Sequence, residues 1–285
     1  MTPDTKEERS VQTPRNAAQS PPSITPAPAI QPAQLSVVGL GPGDAALLAP
    51  MARQAMEEAA VLVGYRTYLE LVPEELTQGK TVVSTGMRQE MERAAAAVEH
   101  ALAGRATAVV SSGDAGVYGM AGLILEFLEK KDLLDTLPCR VVPGIPALCA
   151  AAALLGAPLM HDFACVSLSD LLTPRELIRR RVEAAAAADF VIVLYNPRSR
   201  RRTDQLPEAL EIVARHRGPD TPVGLVQRAF RPGQRVQVQP LADFAPGEVD
   251  MTSIVVIGNS YSRAAGQRML TPRGYFDKYA LPEEG

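Results

Sequence analysis

Three short loops concentrate the residue types that can hold a small ligand. Gly39-Leu40-Gly41-Pro42-Gly43-Asp44 follows an apolar run, and two others, Ser111-Ser112-Gly113-Asp114-Ala115-Gly116-Val117-Tyr118-Gly119 and Val141-Val142-Pro143-Gly144-Ile145-Pro146-Ala147, also join a strand-like to a helix-like stretch. Glycine lets a ligand approach the backbone and takes dihedral angles that other residues avoid. The first loop departs from a dinucleotide fingerprint, because Asp44 stands at the third glycine position and no helix begins until about Pro50. The next strand, Val61–Gly64, ends without a carboxylate for a ribose, so nicotinamide chemistry is poorly supported. In the second loop Asp114 suits a ligand with a positively charged amino-acid end and would repel a phosphate. The same carboxylate is placed to cap the following helix. The third loop is a sharp turn whose first helical amides are available to a ligand carboxylate.

Cationic side chains form a second group: Arg66, Arg88, the run Arg179-Arg180-Arg181, the loop Arg198, Arg200, Arg201 and Arg202, and Arg228 with Arg231. A planar guanidinium matches a carboxylate, so these are candidates for a polyanionic substrate, although arginine runs also serve as solvated faces. Arg66 and Arg88 lie beside glycine-containing loops and are the better individual candidates. His161 with Asp162 is the candidate acid–base pair, since an adjacent carboxylate raises a histidine's pKa. Neighbours in a strand point opposite ways, however, and His161 reads equally well as a structural hydrogen-bonding residue. His100 and His216 read as surface residues. Cys139, Cys149 and Cys165 show no paired spacing, which points to a reducing compartment, core roles and no zinc site.

The elements that must position these groups alternate. Leu35–Leu40, Val61–Gly64, Thr107–Ser111 and Arg140–Val142 read as strands; Met51–Ala60, Met91–Ala103, Gly119–Lys130 and Ala147–Leu155 read as helices. Strand and helix in repetition predict an α/β layer with a mostly parallel sheet. Phe163–Leu168, Phe190–Tyr195, Pro222–Gln227, Val236–Gln239 and Ser253–Ile257 are further strands, and fewer helices between them predict a mixed sheet. Thr173-Pro174-Arg175-Glu176 has the spacing of a capping box before a helix running to about Ala188, and Thr203–Arg215 is another helix. The expected organisation is a disordered proline-rich tail over 1–34, an α/β domain over 35–157, a second over 158–265 and an extension over 266–285. A ligand cleft is expected between the two domains.

Bulk properties agree with a globular enzyme. The net charge of −3, the absence of Trp and the scarcity of aromatics argue against nucleic acid or an anionic membrane as partner. The longest apolar stretch, Ala147 to Met160, is shorter than the roughly 20 residues that span a bilayer. With no apolar leader at the N-terminus, a cytoplasmic location is expected.

In this order and spacing the three loops resemble those of the class III tetrapyrrole (corrin) methyltransferases. Gly64-Tyr65-Arg66-Thr67-Tyr68, Gly86-Met87-Arg88-Gln89-Glu90, His161-Asp162-Phe163-Ala164, Leu194-Tyr195-Asn196-Pro197, Gly258-Asn259-Ser260 and Thr271-Pro272-Arg273-Gly274-Tyr275 extend the likeness over roughly residues 35–275. Ser167-Leu168-Ser169-Asp170-Leu171-Leu172-Thr173-Pro174 is similar to the C17-methylating, ring-contracting branch. The resemblance implies S-adenosylmethionine folded between the domains. Gly41, Pro42, Ser112, Gly113, Asp114, Val117, Tyr118, Pro146 and Ala147 would line its site from the first, with Asn196 and Ala229 from the second. Pro146 stands where the family often has Thr or Ser, which removes a hydroxyl and a backbone donor. Arg66, Arg88, Ser169 and Asp170 would meet the tetrapyrrole. The implied activity is C17 methylation of precorrin-3B with ring contraction to precorrin-4 in cobalamin biosynthesis, by a homodimer. The alternatives are the cobalt-loaded equivalent and a non-catalytic tetrapyrrole-binding protein.

Overall fold

A computed structural model describes residues 31–279, so most of the expected tail and the last six residues lie outside it. The first half runs β1 (Leu35–Gly39), α1 (Pro50–Glu58), β2 (Val61–Tyr65), α2 (Arg66–Leu69), β3 (Thr81–Thr85), α3 (Glu90–Leu102), β4 (Thr107–Ser111), α4 (Met120–Lys130), β5 (Cys139–Val142) and α5 (Ala147–Leu155). Its five strands form one sheet in the order β3-β2-β4-β1-β5, with every pairing parallel. The pleat sends alternate residues to opposite faces. Val37, Val61, Val63 and Val109 pack under α3 and α4, while Val38, Leu62, Ala108 and Val110 pack under α1. Both faces are covered, which is why these strands are nearly continuous in apolar residues.

The second half contains β6 (Gly156–Ala157), β7 (Phe163–Ser167), α6 (Arg175–Ala187), β8 (Val191–Tyr195), α7 (Gln205–Ala214), β9 (Pro222–Gln227), β10 (Arg235–Pro240), β11 (Ser253–Ile257), β12 (Arg263–Ala265), β13 (Arg268–Leu270) and α8 (Tyr275–Lys278). Its main sheet has the order β10-β9-β11-β8-β7 and is mixed: β7 and β8 run parallel and the other neighbours antiparallel. Ile192 and Leu194 face α6 and α7; Val191, Val193 and Tyr195 face the other way.

Three expectations are corrected. Helix α5, assigned to the first domain by the boundary at 157, packs Ala151 and Leu155 against Val193, Val226 and Val256 of the second sheet. The glycine at 224 makes room for it, since a Cβ there would meet Leu155 Cδ1 at 2.6 Å. The expected extension over 266–285 is not separate either, because β13 pairs with β12 and runs parallel to β6 at the junction, Met269 opposite Gly156. Finally, Thr173 does not cap α6: Pro174 occupies the cap position without a side-chain bond, and Glu176 pairs with Arg179 instead. Residues 31–279 form one compact unit, with the two sheets inside it.

Candidate active site

The carboxyl ends of β1, β4 and β5 lie side by side, so the three glycine loops meet outside one edge of the parallel sheet, where ligands bind in such sheets. They are packed backbone on backbone. Gly41 and Gly113 exchange amide bonds, 3.0 and 2.7 Å, and Gly113 does so at φ +70°, a conformation costly for other residues. A Cβ on Gly39 would stand 2.6 Å from the Gly144 nitrogen, so glycine is required where these strands' ends converge.

Asp114 is the brace of this arrangement. One carboxylate oxygen accepts from the Gly116 amide at 2.7 Å and the other from the Gly144 amide at 3.0 Å. It therefore ties the second loop to the third and neither caps α4 nor points a free charge at a ligand. The amide of Met120 at the start of α4 is accepted by the Ser111 hydroxyl, 3.1 Å away. Asp44 has a local task as well: it accepts from Ala46 and caps the turn Ala45–Leu47, which explains an acid at the third glycine position.

Two tyrosines join the loops to the second sheet. Tyr195, at the end of β8, accepts the Leu148 amide on its hydroxyl at 2.8 Å, so that first-turn amide of α5 is already satisfied. Tyr118, in a left-handed conformation, donates to the Cys165 carbonyl of β7 at 3.2 Å, and the two rings lie 5.1 Å apart. Burial pushes the Tyr118 phenol up to about 12, and burial also raises that of Tyr195. Both rings are thus neutral across the physiological range. Val117, Ala147 and Ala229 pack against the same apolar cluster as Tyr195, so cofactor candidates from both halves border one cluster.

Beyond Tyr195, Asn196 turns in the left-handed region and donates to the Ser167 hydroxyl at 3.0 Å. Arg202, missed as an individual site residue, is 8% exposed; it bonds the Asn196 carbonyl at 2.8 Å and the Ser169 hydroxyl at 3.2 Å. Gln205 holds Asp170 at 2.7 Å. Ser169 and Asp170 are therefore fixed by α7 and the loop before it, while Leu172 at their loop tip is 98% exposed. Arg66 and Arg88 are exposed and follow the carboxyl ends of β2 and β3, on the same edge as the glycine loops. Arg93, also missed, is buried and fastens the Arg88 loop through the Gly86 carbonyl and Thr85 hydroxyl. It sits in the first turn of α3, just before the run Ala94–Ala97, with no local signal to separate it from a surface arginine.

His161 and Asp162 are not brought to this cleft. They precede β7 at the end opposite Ser167, roughly 20 Å away at strand rise. His161 stacks on Tyr261 and its Nδ1 accepts the Asp162 amide at 2.9 Å, an arrangement that fixes the ring rather than aiming it at a ligand. The Arg179–Arg181 run lines a surface groove on α6, where Arg179 pairs with Glu176 and Glu208 and neighbouring Arg215 pairs with Glu183.

The profile of the tetrapyrrole (corrin/porphyrin) methylases matches residues 34–245. The chain belongs to that family. It is similar to the cobalt-factor III methyltransferase of Priestia megaterium, 50% identical over 87% of this chain and 46% of the relative, so it spans about half of that longer protein. It is 48% identical to the probable cobalt-factor III C(17)-methyltransferase of Salmonella typhimurium, over 85% of this chain and 99% of the relative. Among solved structures, the methyltransferase CobJ is 38% identical with a TM-score of 0.80, covering 84% of this chain and all of that one. Uroporphyrin-III C-methyltransferase from Thermus thermophilus, complexed with S-adenyl homocysteine, is 28% identical with a TM-score of 0.59, over 79% and 97% of the two chains. The expected fold is thus the tetrapyrrole methylase fold, and the family is one of S-adenosylmethionine-dependent methyltransferases.

The cleft of this chain fits that donor. The Ala147 amide has no acceptor among the described residues, and it faces Gly113, where even an added Cβ would stay 3.5 Å from it. Backbone groups, neutral hydroxyls and the Arg231 guanidinium on Pro42 and Ser112 border it, and the Asp114 carboxylate is already shared between two amides. The ligand's amino-acid end must then be met mainly by main-chain groups.

Proposed function

We propose that the chain methylates C17 of a precorrin-3-type macrocycle, with ring contraction, in cobalamin biosynthesis. The observation carrying this reading is the convergence of the three braced glycine loops on Tyr195, Asn196 and Ala229, beside the Ser169-Asp170 segment of the branch motif. The names of the Priestia and Salmonella relatives favour the cobalt-loaded acceptor over the metal-free precorrin-3B that the sequence motifs put first. Any cobalt would arrive with that substrate.

S-adenosylmethionine supplies the electrophilic methyl group. The protein's part is alignment: Ala147 and the Gly41–Gly113 bridge set the depth of the donor, and Arg66 and Arg88 meet acceptor carboxylates at the sheet edge. In-line geometry of this kind can supply much of the rate. The neutral phenols of Tyr118 and Tyr195 wall the cleft without adding charge beside the reacting carbon. His161→Ala should leave kcat within about threefold, since that residue lies before β7, roughly 20 Å along the strand from its Ser167 end. We also propose a homodimer, on the family likeness, and a cytoplasmic location, supported by three free cysteines.

The test is anaerobic incubation with S-adenosylmethionine and either cobalt-factor III or precorrin-3B, followed by mass spectrometry. Gain of one methyl group on the cobalt-loaded acceptor supports the proposal. Gain on the metal-free one alone would reverse the choice of substrate, and no gain on either would refute the activity.

A further inference from the structure

Arg231 stands in the turn between β9 and β10, yet its guanidinium reaches the glycine loops of the other half. Nε donates to the Pro42 carbonyl and one Nη donates to the Ser112 hydroxyl at 2.6 Å. The guanidinium fills the space left by the missing side chain of Gly43, where a Cβ would stand 2.5 Å from Nε. No carboxylate pairs with it among the described residues, and its other Nη has no partner there; the Tyr68 phenol lies close enough to act on its charge. A half-buried cation is thus held by two neutral oxygens. Both belong to residues expected to line the donor site.

The turn that carries Arg231 is fixed. Arg228 and Phe230 are left-handed, the Arg231 amide donates to the Arg228 carbonyl at 2.9 Å, and the Phe230 amide donates to Gln234 Oε1 at 2.8 Å. Motion is therefore left to the side chain, which can swing from a stationary base. A carboxylate adds the attraction of opposite charges and can take two parallel donors from one guanidinium, which neither neutral oxygen offers. A carboxylate entering the cleft would outcompete Pro42 and Ser112.

We propose that Arg231 is an acceptor-recognition latch: without substrate it bridges the cleft through Pro42 and Ser112, and a side-chain carboxylate of the tetrapyrrole draws it off. This rests on the tetrapyrrole reading above for the source of the carboxylate. It gives Arg231 a part in choosing the acceptor and none in bond making. It also ties acceptor binding to the uncovering of Pro42 and Ser112.

The experiment compares the wild type with Arg231→Gln and Arg231→Lys by three readouts. These are calorimetry with S-adenosylhomocysteine, absorbance titration with uroporphyrin III as a carboxylated tetrapyrrole probe, and steady-state methylation of cobalt-factor III. Expected for R231Q are a loss of about tenfold or more in uroporphyrin affinity and a matching rise in the acceptor KM, with kcat and S-adenosylhomocysteine affinity within about threefold. R231K should lie between the two. Equal loss of both ligands, or loss of S-adenosylhomocysteine alone, would make Arg231 a structural bridge and overturn the proposal, as would unchanged tetrapyrrole affinity. Should the wild type bind uroporphyrin through Arg231 yet methylate nothing, the proposed activity falls and the latch stands. Turnover by the wild type with an unaltered acceptor KM in R231Q sinks the latch and leaves the activity standing.

Discussion

Asp114 illustrates how a carboxylate can serve a ligand site without touching the ligand. Its two oxygens hold amides 2 and 30 residues away, and the third loop is kept against the second by one of them. Asp114→Ala leaves both amides without acceptors, so it should lower stability by about 1–3 kcal/mol and weaken S-adenosylhomocysteine binding by about tenfold or more. Thermal melts and calorimetry on the same samples would check both. Tyr118 should set a pH dependence, a small one because the residue is 55% exposed. Its folded phenol is raised from the ordinary 10 to about 12, chiefly by burial, so the folded state keeps a proton that the unfolded chain gives up. That contribution is complete below pH 10 and is lost as pH climbs from 10 to 12. The Tyr118→Phe protein should therefore show a flatter fall in melting temperature across that window, with no difference from wild type in the slope near neutral pH.

At the scale of elements, the decisive placement is that of α5, whose N-terminus belongs to the site and whose body belongs to the second sheet. Leu155 is fully buried over Gly224, so Leu155→Ala should cost about 2–5 kcal/mol and loosen the helix that presents Ala147 and Leu148. Chemical denaturation would give the first quantity and S-adenosylhomocysteine affinity the second. This element also marks the limit of what the residues disclose unaided. The helix Ala147–Leu155 is legible to the residue, as are β4, β9 and β11, because each combines an apolar run with a glycine, proline or polar stop. Its allegiance is not, because an alanine-rich helix presents nearly the same surface to either sheet. Strand β3 escapes such a reading: Thr81–Thr85 lies on a sheet edge with an exposed pattern that lacks a core stripe. The glycine loops can be recognised as ligand loops from composition, whereas the bonds of Asp114, Tyr195 and Arg231 join residues 30, 47, 119 and 189 apart and leave no periodic trace.

At the scale of the whole molecule, the short sheet β12-β13-β6 fastens the end of the described chain to the junction between the halves. Met269, fully buried, pairs with Gly156 there and packs in the cluster that also holds Ala151, Leu155 and Val193. Met269→Asp would bury a charge without a partner and should lower stability by more than about 3 kcal/mol, with the loss shared by both sheets in a single denaturation transition. The pairing has a further consequence for how the protein is made. A ribosome delivers β1 to β5 first, and those five strands can close their parallel sheet while the rest is still being synthesised. The junction at Gly156–Ala157 must then wait for Arg268–Leu270, more than a hundred residues later, before it finds its partner strand. During that interval α5 is held between a finished sheet and an unfinished one, with its apolar face uncovered. In that order of events one helix waits, uncovered on one face, for the time it takes to translate the second half.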